Sequence, residues 1–178
     1  MFEEYLEDAY YFAGMAKEYP NAREAKRYYR ASIFYAASAV EAFVSYVNNI
    51  LIQGGLLQPY EIALLTDVKF TLDNGRFELT DRFELHSIED KLKYLLCKTI
   101  PSYDFKTSAA WSKYIEFKDF INSIIHPIHD EDETTVDQYH QIVKKGLSSS
   151  IDLIDTLCNS ILRKPLRQKI RDLVLTDS

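Results

Sequence analysis

Apolar residues recur at helical spacing along most of the chain. Phe2, Leu6, Ala9, Tyr10, Ala13 and Ala16 fall three to four residues apart, and Pro20 stands where a helix over 2–19 has to stop. Asn21 suits the N-cap of a longer helix from Ala22 to about Gln53, which the Gly54-Gly55 pair ends. From Ile33 to Leu51 nearly every side of that helix is apolar or small, the pattern of an element surrounded by others. One polar strip interrupts it: Ser38, Glu41, Ser45 and Asn48, spaced three, four and three, share a single line.

The period then changes. After a short helical piece, Glu61 to Asp67, residues Lys69 to Asp73 and Arg76 to Thr80 alternate apolar and polar around Asn74-Gly75, a strong hairpin signal. Two strands alone are marginal in water, so this hairpin has to lean on helices. Helical spacing returns at Ser87, which caps a third long helix with Asp90 three residues on and Ile88, Leu92, Leu95 and Leu96 on its buried side. Ser108 can cap a fourth, carrying Trp111, Tyr114, Phe117, Ile121 and Ile124 and ending at Pro127. The last long helix starts near Thr134 or Thr135, runs through Val136, Tyr139, Val143, Leu147, Ile151, Ile154, Leu157 and Ile161, and meets Pro165. Residues 166–178 keep a weak helical pattern that forms a short extra helix or frays. The whole reads as an all-α domain over residues 1–178, with a small β-hairpin inserted between the second and third long helices.

Composition narrows the chemistry. Thirteen Tyr and ten Phe promise a core of large rings, several with a hydroxyl that needs a partner. A net charge of −6 argues against nonspecific nucleic-acid binding by bulk charge. The basic residues are uneven, however, clustering at Arg23, Lys26, Arg27 and Arg30 and again at Arg163, Lys164, Arg167, Lys169 and Arg171. Cys97 and Cys158 sit on apolar helical stretches and suit buried free thiols in a reducing compartment, so the expected location is the cytoplasm. The N-terminus lacks the charged and apolar regions of a signal peptide, and no run of about 18 apolar residues could span a membrane.

Three segments resemble the HEPN family of small helical proteins: Ala36-Ala-Ser-Ala-Val-Glu-Ala-Phe-Val44, Ser87-Ile-Glu-Asp-Lys-Leu-Lys-Tyr-Leu95 and Phe117-Lys-Asp-Phe-Ile-Asn-Ser-Ile-Ile-His-Pro127. The resemblance implies an up-and-down bundle of four to six helices, commonly a homodimer whose paired motifs line a cleft. It also implies metal-independent RNA cleavage in catalytic members, with RNA or a nucleotide, or a protein encoded nearby, as partner. Those members carry an Arg, followed by a polar residue, four to six residues before a His. Here Asn122, His126 and Pro127 match the pattern and Glu41 matches an acidic position of the second helix, but Ile121 stands where the arginine belongs. No arginine occurs between Arg82 and Arg163, and Lys118 lies eight residues before His126.

That replacement bears on the reaction. Cleaving RNA without a metal needs a base, an acid and a cation that stabilises the charged transition state. Histidine can shuttle the proton, whereas only a guanidinium supplies a permanent forked charge. Losing one such preorganised group slows a reaction on the order of 10²- to 10³-fold. The candidate site residues are therefore His126, Asn122 and Glu41, in a chain expected to be inactive or weakly active.

Each candidate has a plainer reading. Ile115, Asp119, Asn122 and His126 share one helix face that lines a dimer cleft, or else Asp119 and Asn122 are solvated and His126 closes the helix end. The strip containing Glu41 faces the same cleft, or is a packing seam whose polar groups satisfy one another. His126, His129, Asp130 and Asp132 match no firm metal-ligand spacing. Nothing in the sequence implies a cofactor, since there is no Gly-rich phosphate loop, nucleophile elbow or zinc knuckle.

Overall fold

A computed structural model describes residues 1–19, 21–125 and 132–175. About 70% of the described residues are helical, and among them there is a single small antiparallel hairpin. In order these residues form α1 (Phe2–Glu18), α2 (Ala22–Gln53), α3 (Pro59–Thr66), β1 (Val68–Asp73), β2 (Arg76–Phe83), α4 (Ile88–Thr99), α5 (Ala109–Ile125), α6 (Val136–Leu157), a π-helical turn (Cys158–Leu162) and α7 (Gln168–Arg171). They gather into two compact units, residues 1–40 with 103–178 and residues 41–102.

In the first unit, the buried residues of α1 are Leu6, Ala9, Ala13 and Ala16, the stripe expected from their spacing. Its small residues let α2 come close, and Ser32 Oγ donates to the Ala9 carbonyl at 2.6 Å. Beside that seam the Phe12 ring stacks on Tyr28 and Tyr35. Helix α6 begins with a capping box between Thr135 and Gln138 and buries Tyr139, Val143, Leu147, Ile151, Ile154 and Leu157. Helix α5 starts with Ser108 Oγ accepting from the Trp111 amide at 3.2 Å and buries Trp111, Tyr114 and Phe117. Gly146 is what lets the Phe117 ring lie directly on the α6 backbone. The segment after the π-turn is anchored, with Leu166, Ile170 and Leu175 buried and the Leu166 amide donating to Asp155 Oδ1 at 2.7 Å.

The second unit holds the end of α2 together with α3, the hairpin and α4. Asn48, the buried member of the polar strip, donates through Nδ2 to the Leu65 carbonyl at 2.9 Å and so ties α2 to α3. Pro59 opens α3 at a position where no amide donor is needed, and Asp67 closes it in the left-handed region at φ 58°. Asn74 and Gly75, at φ 48° and 80°, turn β1 back along β2. The hairpin leans on α3, as expected, through the edge of Phe77 against Tyr60. Ser87 caps α4 by accepting from the Asp90 amide.

Some expectations need correction. Cys158 is buried but Cys97 is exposed, because α4 buries the arc of Lys91, Leu92, Leu95 and Leu96, and Cys97 lies one step beyond it. Helix α2 is not enclosed on every side, since Phe34 and Tyr46 are 45% and 46% exposed and Glu41 and Ser45 also face solvent. The rings are divided between core and surface: Tyr29, Phe43, Phe117 and Tyr139 are buried, while Tyr11, Phe77 and Phe83 are not. Toward the end of α5 the core stripe fades, and Ile121 and Ile124 are only half-buried.

Candidate functional site

The residues singled out from the sequence do not gather into one describable constellation. Asn122 is exposed in the last turn of α5, and Asp119 is exposed one turn earlier with its carboxylate 3.5 Å from Lys118 Nζ. Ile115 and Ile121 are half-buried, so position 121 presents hydrocarbon at the surface of the unit. Glu41 is exposed and belongs to the other unit. His126, Pro127, His129 and Asp130 lie outside the described residues.

What the fold does assemble is a polar cluster where α2 and the start of α6 meet. Lys26 and Arg30 stand one helical turn apart on α2 and both reach Asp132, each nitrogen 3.7 Å from Oδ2. Lys26 Nζ also donates to the Asp132 carbonyl at 2.9 Å, and the Tyr139 hydroxyl donates to Oδ2 at 2.9 Å. Burial by itself would raise the Asp132 pKa, but bonds from Tyr139 and Thr134 and the charge of Lys26 outweigh it and hold the carboxyl below its usual range. The Tyr139 phenol is pushed up to about 12, first by burial and then by the bond to Asp132. Its ring stacks on Tyr29, whose hydroxyl sits 3.2 Å from His140 Nδ1.

The cluster connects back to the predicted motif. Phe120, two residues before Asn122, sets its edge against the Tyr139 ring at 5.4 Å between centroids. Asp132 follows His126 by six residues. An ionised carboxylate between an ammonium and a guanidinium ties the residues just before α6 to α2, and the Arg30 side chain stays 35% exposed with further N–H donors on its fork. The basic run containing Lys26 and Arg30 is readable in the sequence but its partner is not, because Asp132 is 106 residues from Lys26 and no local pattern joins them.

A second cluster braces the other unit. Glu61 accepts from Lys98 Nζ at 2.7 Å, from the Tyr94 hydroxyl and from the Gln58 amide, while Asp67 accepts from Lys91 Nζ at 2.5 Å and from the His86 amide at 2.8 Å. Next to it an open apolar recess of about 390 Å³ is lined by Tyr60, Leu64, Phe70, Phe77 and His86. Among the described residues no group of three or more His, Cys, Asp and Glu could hold a metal ion, and no helix is long and apolar enough to cross a membrane. No protein-family model, curated protein or solved structure matches this chain.

Proposed function

We propose that this chain is a HEPN-like helical bundle of up-and-down topology that acts as a homodimeric binding or regulatory module, with little or no ribonuclease activity of its own, in a bacterial defence or toxin–antitoxin setting. The observation that carries the reading is Ile121. It occupies the place of the family's arginine, directly before Asn122, and offers hydrocarbon where a negatively charged transition state needs a fixed cation. The exposed Asn122 on the last turn of α5 is consistent with a surface that meets a partner rather than a packed core.

The test is incubation of the purified chain with RNA beside His126→Ala and Ile121→Arg variants, with mass in solution measured in parallel. A dimer that leaves RNA intact agrees with the proposal. Cleavage by the unchanged chain that disappears in His126→Ala overturns it.

One observation favours a second reading, an endoribonuclease using His126 and Asn122 with a cation drawn from elsewhere. Arg30 is a part-exposed guanidinium held on the segment that follows His126. Should cleavage occur, Arg30→Ala distinguishes this source: loss of activity on the order of 10²-fold assigns the cation to Arg30, and unchanged activity points to Lys118 or the other subunit.

A further inference from the structure

The hairpin sorts its residues by face. Val68, Phe70 and Leu72 of β1 pair with Phe83, Leu79 and Phe77 of β2, whereas Thr71 and Asp73 pair with Glu78 and Arg76. One face is therefore apolar and the other charged. The apolar face is not a core: Phe70, Leu72, Phe77, Leu79 and Phe83 are 39%, 65%, 47%, 44% and 72% exposed. At about 200 Å² for a free side chain of this size, that is roughly 500 Å² in one patch, at the upper end of the largest patch a monomer usually shows.

The two edges of the hairpin differ. The register slips between Val68 and Phe70, where the three residues Thr80 to Arg82 of β2 stand against Lys69 alone, and this bulge blunts the β2 edge against further pairing. Strand β1 stays regular. With Asp73 and Arg76 flanking a two-residue turn, the odd-numbered members of β1 spend their N–H and C=O groups on β2, and Phe70 and Leu72 direct theirs outward. The Thr80 hydroxyl donating to the Lys69 carbonyl at 2.8 Å agrees with that alternation. Among the described residues no backbone hydrogen bond from another element reaches Phe70 or Leu72.

We propose that the β1 edge binds a second copy of this chain, the two β1 strands pairing antiparallel about a two-fold axis at Thr71 to make a four-stranded sheet in the order β2, β1, β1, β2. Charge selects both the occupant and the register. Centred on Thr71, the pairing sets Lys69 opposite Asp73 twice, Phe70 opposite Leu72 twice and Thr71 opposite Thr71, all on matching faces. Centred one residue earlier, it sets Asp67 opposite Asp73, like against like. In the favoured register Phe70 and Leu72 form the hydrogen-bonded pairs, and the exposed apolar faces join on one side of the sheet. This inference stands on the hairpin and does not depend on the HEPN reading.

The test uses the full chain in sedimentation over a concentration series. Lys69→Glu makes both ends of the pairing acidic and Asp73→Lys makes both basic, so each alone should weaken self-association about tenfold. Mixing the two restores opposite charges across the axis and should recover association. Independently, with Cys97→Ser in the background, Thr71→Cys should cross-link two copies on oxidation, since facing residues of a non-hydrogen-bonded pair lie within disulfide reach, and Glu78→Cys should not. A chain that is monomeric at every concentration, association that neither charge variant weakens, or cross-linking at Glu78→Cys equal to that at Thr71→Cys overturns the proposal.

Discussion

Replacing Gly146 with alanine should destabilise the first unit even though alanine is the better helix former. The substitution has two opposed effects. In a helix interior alanine is favoured over glycine by about 1 kcal/mol. Against this, a Cβ built on Gly146 meets three atoms of the Phe117 ring at under 3 Å, closer than real side chains pack. Phe117 is 2% exposed, so the ring has no solvent side to move into. Overpacking of this kind costs about 1–3 kcal/mol, toward the upper end where a ring must leave its rotamer. The steric effect is the larger, and the net expectation is a loss of about 1–2 kcal/mol in denaturant unfolding followed by circular dichroism. Gly14 in α1 provides the control, because a Cβ there meets nothing within 4 Å, so Gly14→Ala should stabilise by up to about 1 kcal/mol. Combining Gly146→Ala with Phe117→Leu should regain part of the loss, since the smaller side chain can yield. If Gly146→Ala stabilises as Gly14→Ala does, then α5 does not rest on α6 at this point and the reasoning fails.

Two further outcomes follow from titrating groups. Burial alone would raise the Glu61 and Asp67 pKa values, but bonds from Lys98, Tyr94 and the Gln58 amide to the first, and from Lys91 and the His86 amide to the second, hold both below the ordinary 4.5 and 3.8. A carboxyl lowered by folding stabilises the native state above its unfolded value, and that stabilisation is lost as pH falls through the folded value. Stability should therefore drop as pH falls below about 4.5, and Glu61→Gln should flatten the drop in a denaturation series across that range. The two cysteines should react at very different rates: Cys158 is raised to about 12, first by burial and then by Asp155 and Glu3, whereas Cys97 is exposed. A thiol reagent at neutral pH should modify one group quickly and the second only on unfolding, and two equally fast groups would refute the burial of Cys158.

How much of this was legible in the sequence depends on the range of the interactions involved. Caps at Ser87, Ser108 and Thr135 and the Asn74-Gly75 turn were readable because the side chains that set them lie within three residues of the backbone they fix. Cys97 is exposed despite its apolar neighbours in sequence, because such a neighbourhood is not a buried arc on a helix and one residue turns the side chain by about 100°. Similarly, α2 looked enclosed because Phe34 and Tyr46 are apolar, yet large aromatic side chains are common at surfaces that meet other molecules. The cluster at Asp132 was invisible, since its members come from residues 26 to 139 and only tertiary packing brings them together.

The electrostatics of the first unit bear on what kind of partner this chain prefers. Binding RNA draws most of its strength from cations that neutralise phosphates and release counterions. Lys26 and Arg30 already hold Asp132, Arg167 pairs with Glu3 and Lys169 with Glu7. A phosphate competing for these groups would have to displace a carboxylate held within the fold, so much of the Coulomb gain would be offset by the pair that is broken. With a net charge of −6 there is also no general attraction to draw a polyanion in. At Leu72 and Phe83, 65% and 72% exposed, covering the apolar side chain displaces mainly water and breaks no ion pair of its own. At these four cations, then, a phosphate gains less than it would from unpaired side chains, a cost that is independent of what stands at position 121.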